Sequence, residues 1–160
     1  MMKMLVHYYD DRFPPLHSIT ESYSPELIGR LTNCDVPAFR RFSNWEWYIQ
    51  HRIETEDALY DAFLRLGGKP SIRHPRYFVL GEHPELERAY GAHAASILIP
   101  LDTIAPDHIS FTEQDSMKLL LESDDMHLYS VKTLGFLRKA ARDSTYIEAQ
   151  IWDLSYFTCQ

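Results

Sequence analysis

Residues 75–101 constrain the fold more than any other stretch of the sequence. Residues 77–80 are rich in β-formers and closed by Gly81, and Pro84 with Glu85 is first-turn helix chemistry. Leu86, Ala89 and Tyr90 then recur at helical spacing, Gly91 ends the turn, and residues 97–101 begin a second strand. The order is strand, short helix, strand. It sets Tyr77 at the start of a strand and Tyr90 in the helix, where two aromatic rings can face one cleft and grip a flat ring.

The rest of the chain alternates helix and strand signals. His7 and Tyr8 lie on an expected opening strand, residues 5–9, ended by Asp10-Asp11 and Pro14-Pro15. Ser24-Pro25-Glu26 is a helix start leading into Leu27, Ile28 and Leu31. Residues 39–53 carry Phe42, Trp45, Tyr48, Ile49 and Arg52 at helical spacing, an aromatic stripe suited to core packing. Thr55-Glu56-Asp57 reads as the start of a separate helix with Leu59, Ala62, Phe63 and Leu66 on its apolar face, stopped by Gly67-Gly68. Residues 107–111 suggest a strand, and Thr112-Glu113-Gln114-Asp115 a capping box opening a helix to Leu121. A helix over 130–142 and a strand over 145–152 complete the pattern, the strand placing Tyr146, Glu148 and Gln150 on one face and Ile147, Ala149 and Ile151 on the other. The expectation is one α+β domain over residues 1–160.

Composition narrows the function classes. At 160 residues and 45% apolar content the chain can build one core but not two. Sixteen basic against 23 acidic residues leave a net charge of -7, which argues against a duplex-DNA binder working by phosphate neutralisation. Cys34 and Cys159 are far apart and form no zinc-ligand spacing, and the eight histidines show no HxxxH or HxH pair, so no metal is expected. The N-terminal apolar run is too short for a signal peptide or a membrane span, so a cytoplasmic protein without a membrane partner is expected. The loop 69–76 holds Lys69, Arg73, His74 and Arg76 directly before Tyr77, and arginine forks match phosphate oxygens.

A histidine on the first strand, a tyrosine on a middle strand and a glutamate on a late strand resemble the His-Tyr-Glu class of the ADP-ribosyltransferase superfamily, which includes diphtheria toxin and the poly-ADP-ribose polymerases. The matching pieces are His7-Tyr8, Tyr77-Phe78 followed by the helix with Tyr90, and Glu148 in Tyr146-Ile147-Glu148-Ala149-Gln150. The resemblance implies split antiparallel β-sheets with helices packed around them, NAD as substrate, and transfer of ADP-ribose to a protein or nucleic-acid acceptor. It implies Glu148, His7 and Tyr77 as catalytic residues. Glu148 would hold the nicotinamide ribose and stabilise the cation, His7 would bind a ribose hydroxyl and present a backbone edge to the carboxamide, and Tyr77 would stack on nicotinamide. Tyr8, Tyr90, Arg73 and Arg76 join His7 and Tyr77 as candidate NAD-binding residues. Many members acting on protein side chains carry Glu or Gln two places before the catalytic glutamate, and here that place holds Tyr146, which argues against transfer to arginine. Small free-standing members are often toxins, effectors or antiphage enzymes, some with a neutralising partner. The competing reading is a catalytically silent module of the same fold that binds a partner or confers immunity. A phosphoesterase built on His108-Ile109-Ser110 ranks below both, for want of a second such motif.

Overall fold

The first strand, β1 (Met4–Asp10), lies between β3 (Ala94–Pro100) and β2 (Arg76–Leu80), and β2 is followed across the sheet by β5 (Ile147–Ile151) and β4 (Ile109–Glu113). This computed structural model describes residues 3–122, 131–134 and 146–157. Every neighbouring pair is antiparallel. The expected split pair is therefore one five-stranded sheet among the described residues, and its seam is uneven. β1 and β3 are in register from Met4↔Pro100 to Asp10↔Ala94, whereas β1 meets β2 only at Leu5↔Leu80 and Val6↔Val79. From His7 onward the peptide edge of β1 facing β2 is left out of the ladder.

Register assigns the faces. Val79 opposes Glu148, Glu148 opposes Thr112, and Tyr77 opposes Gln150, so these side chains share one face. The other face carries Leu5, Phe78, Ile109, Phe111, Ala149 and Ile151, a buried apolar layer closed by the C-terminal turn Leu154–Phe157, whose Phe157 stacks on Phe78 at 5.7 Å. The alternation expected of residues 146–151 is therefore observed, but both faces of β5 are buried. The polar face is covered by a helix rather than by water.

That helix is α2 (Trp45–Arg65), and it corrects two boundaries. Residues 37–42 form a separate 3-10 turn before it, with Pro37 at the first position. The expected break at Thr55-Glu56-Asp57 does not occur: Thr55 returns its hydroxyl to the His51 carbonyl at 2.7 Å, and neither Gly nor Pro interrupts the helix. Cap chemistry in the middle of a sequence is a start signal only where the preceding turn ends. α1 (Pro25–Thr32) begins as expected, Ser24 accepting the Leu27 amide at 3.1 Å. α3 (Pro84–Ala89) follows β2, with Gly81 and Gly91 at φ 78° and 67° turning the chain on either side. α4 (Ser116–Glu122) is capped by Asp115, which accepts the Lys118 amide at 3.0 Å, while Thr112 stays in β4. The expected helix over 130–142 falls mostly outside the described residues, as does Cys159.

α2 docks through Leu59 and Phe63, which enclose Trp152. Gly68 lets the chain turn back over this contact, since a Cβ there would sit 2.5 Å from the Phe63 ring, which is 1% exposed. Gly68→Ala is expected to cost about 1 to 3 kcal/mol, because Phe63 has no room to yield, read as a lower urea midpoint with an unchanged slope. Among the described residues no helix is long and apolar enough to cross a membrane.

Candidate functional site

The polar face of the sheet, α2 and the 3-10 segment Pro37–Phe42 enclose a cleft of about 260 Å³. Glu148 lines it and is 3% exposed. Its Oε1 accepts from Gln150 Nε2 at 3.0 Å and its Oε2 from the Ser116 amide at 3.3 Å. Gln150 is itself oriented: its Oε1 accepts from the Ser110 hydroxyl at 2.7 Å, and Ser110 accepts from the Trp152 indole at 2.9 Å. A chain of hydrogen bonds thus runs from the core tryptophan to the cleft carboxylate. Burial, reinforced by the charge of Asp115, pushes Glu148 up to about 7, against the pull of Arg52 and of the Ser116 and Gln150 donors.

Tyr77 lies in the same cleft. Its hydroxyl donates to Glu56 Oε2 at 2.7 Å, and the Arg52 guanidinium lies over its ring at 5.1 Å. Glu56, 3% exposed, also takes the Thr20 hydroxyl and lies 2.9 Å from His74 Nδ1. Burial, then the adjacent Glu56 charge, raises the Tyr77 phenol well above its ordinary value, so it stays protonated and donating. The structure brings Tyr77 and Glu148 to one cleft, as the sequence pattern requires.

His7 is set differently. Alternation along β1 puts it on the face of Leu5 and Phe78, and its ring lies 5.5 Å from Phe78 and 5.8 Å from Tyr9. The Leu16 amide donates to Nε2 at 3.3 Å, so Nδ1 carries the proton and donates to the Tyr77 carbonyl at 2.9 Å. Burial lowers its pKa and keeps this neutral tautomer. His7 lines the cleft with both ring nitrogens used within the chain: the imidazole joins β1, β2 and the loop at Leu16 where the ladder opens. Beside it, residues 7–9 have no ladder partner on β2.

The expected phosphate ligands are also committed elsewhere. Arg73 pairs with Asp57 at 3.0 Å and covers the Tyr60 ring, away from the cleft lining. Arg76 donates to the Leu16 carbonyl at 2.6 Å, the His74 carbonyl at 2.8 Å and Glu21 at 3.1 Å, which fastens the loop to β2. Tyr8 lines the cleft with its hydroxyl taken by the His83 amide at 2.9 Å. Tyr90 lines it from the end of α3, against Phe39. Sequence reasoning missed Arg41, Arg52, Glu56 and Asp115. Arg52 was hidden in a helix read for its aromatic stripe and Glu56 in the cap of a separate helix expected to start there; once Trp45–Arg65 is one helix, the polar pair at i, i+4 inside its buried face is the signal that could have found them.

Asp10, Asp11 and His93 are the group whose donor atoms converge, within 4.8 Å, among the described residues. Asp10 is already held by Arg12 Nε at 2.9 Å and Nη2 at 2.6 Å, which makes the group an ion pair rather than a cation cage. His108 is joined to Tyr156 at 2.7 Å and stands apart from the cleft lining. No family model, curated protein or solved structure matches the chain.

Proposed function

We propose that the cleft takes NAD and that the protein is an ADP-ribosyltransferase in which Glu148 stabilises the cation formed when the nicotinamide–ribose bond breaks. The observation that carries this reading is the buried carboxylate of Glu148, held by two donors beside Tyr77 and Arg52 where β1 and β2 part. Heterolysis leaves the bonding pair on the nicotinamide nitrogen and positive charge on the sugar. A fixed carboxylate in a low-dielectric site lowers the energy of that cation without reorganising, and it then receives the proton of the acceptor as the acceptor attacks C1′. The free peptide edge of residues 7–9 suits the nicotinamide carboxamide, and the Tyr77 ring suits its face. The acceptor is a protein or nucleic-acid group, or water.

The silent binding module is the second reading, favoured by the two occupied nitrogens of His7. The experiment is nicotinamide release from NAD by the full chain, with and without cell lysate, across pH. Release that rises as pH passes about 7, where Glu148 ionises, is expected. NAD binding with no release selects the silent module, and neither binding nor release discards the NAD reading.

A further inference from the structure

Arg41 and Arg52 reach the same cleft, one from the 3-10 segment Pro37–Phe42 and the other from α2. Burial and the Arg52 charge work against the Arg41 guanidinium, but the neighbouring Tyr90 and Tyr48 hydroxyls outweigh them and it stays charged. Ion pairs form at Arg12, Arg73 and Arg76, but among the described residues none forms at Arg41 or Arg52. Arg52 is 9% exposed, its Nε donates to the Tyr48 hydroxyl at 3.3 Å, and its Nη1 has no hydrogen-bond partner among the described residues. Arg41 is exposed to solvent along one side, with its guanidinium over the Phe42 ring at 4.8 Å. Glu148 and Asp115 lie near enough to favour the Arg52 charge, but its Nη1 donor stays without an acceptor, and a buried guanidinium with a donor to spare beside a second cation is completed by an anion's oxygen.

We propose that Arg41 and Arg52 form an anion subsite that takes the phosphate groups of a nucleotide ligand. This rests on the NAD reading and deepens it, by assigning the dinucleotide's diphosphate to these two arginines rather than to Arg73 and Arg76. The class follows from charge and shape. Two guanidiniums match two negative phosphates linked through one oxygen, guanidinium forks bind phosphate oxygens in pairs, and the aromatic walls at Phe42, Tyr48 and Tyr90 suit the rings attached to them.

The test is calorimetric titration of the full chain with inorganic pyrophosphate, with ADP-ribose and with phosphate-free nicotinamide riboside. Arg41→Gln is the main variant, since an exposed side chain can be replaced without opening the core, and Arg41→Lys keeps the charge without the fork. Pyrophosphate and ADP-ribose are expected to bind the unmodified chain and to weaken about ten- to a hundredfold in Arg41→Gln, with Arg41→Lys between. Nicotinamide riboside should shift less than about twofold, as it makes no phosphate contact. Equal loss for all three probes, unchanged affinity in Arg41→Gln, or no pyrophosphate binding at all overturns the subsite. Arg41-dependent pyrophosphate binding without NAD turnover keeps the subsite and removes the enzyme reading. Nicotinamide release with an unaltered KM for NAD in Arg41→Gln does the reverse.

Discussion

Glu148→Gln should retain the fold and lose about a hundredfold to a thousandfold in nicotinamide release, the usual loss when one preorganised electrostatic group is removed from a transition state. It should also flatten the dependence of stability on pH. In the unfolded chain this carboxyl ionises near its ordinary 4.5, and in the fold near 7. Between those values the folded chain keeps a proton that the unfolded chain has released. The contribution of Glu148 to stability is therefore fully present below 4.5 and lost as pH rises through about 7. The total is on the order of 3 kcal/mol, and it becomes the cost of keeping an ionised carboxylate out of water.

Glutamine does not titrate, so the stability difference between the unmodified chain and Glu148→Gln should change by that amount across the interval. The variant gains on the alkaline side. Its absolute level is set by another effect, since a glutamine at 148 offers one oxygen where the carboxylate offers two, and either Gln150 or the Ser116 amide loses an acceptor. Comparing the slopes from urea melts at several pH values isolates the titration, because all other groups are common to both chains. Parallel slopes would mean that Glu148 ionises in the fold much as it does in water.

What the sequence disclosed and what it hid divide along a physical line. Local signals were legible: Ser24-Pro25 opens α1, Gly67-Gly68 ends α2, and Gly81 and Gly91 turn the chain around α3, each because the backbone there needs a particular cap or dihedral. The alternation around Glu148 was legible too, since period two is written into any strand. Burial of its polar face was not, because Glu148, Gln150, Ser110 and Thr112 read as a solvated edge until a helix from residues 45–65 is laid over them. The same limit applied to His7. Its strand was evident, but which face it takes depends on the register of Val6 with Val79, a contact between positions 73 residues apart in the chain. Arg73 and Arg76 looked available for phosphate because their partners, Asp57 and Glu21, lie in other segments.

Trp152→Ala should be the most damaging single substitution in the described core, and Trp152→Phe should report on the site. The indole is 0% exposed, stacks on Phe63 at 5.5 Å and 14°, and meets the edge of Tyr60 at 5.9 Å. Its removal is expected to cost about 3 to 5 kcal/mol, a large part of the roughly 5 to 15 kcal/mol that holds a domain together. Phenylalanine keeps part of that packing, removes the N–H and leaves a void where the larger ring system stood. Ser110 then has no indole donor to orient it, and its hydroxyl no longer must point at the Gln150 oxygen. The Gln150 amide is then held on its nitrogen side by Thr112 at 3.1 Å and less firmly on its oxygen side, so Glu148 keeps its Oε1 donor for a smaller share of the time. That donor favours the ionised carboxylate, so weakening it should move the pH midpoint of nicotinamide release upward from about 7, while stability falls by about 1 to 3 kcal/mol, less than in Trp152→Ala. A midpoint that stays in place in Trp152→Phe would show that the hydrogen-bond chain holds the core together but does not tune the carboxylate at its end.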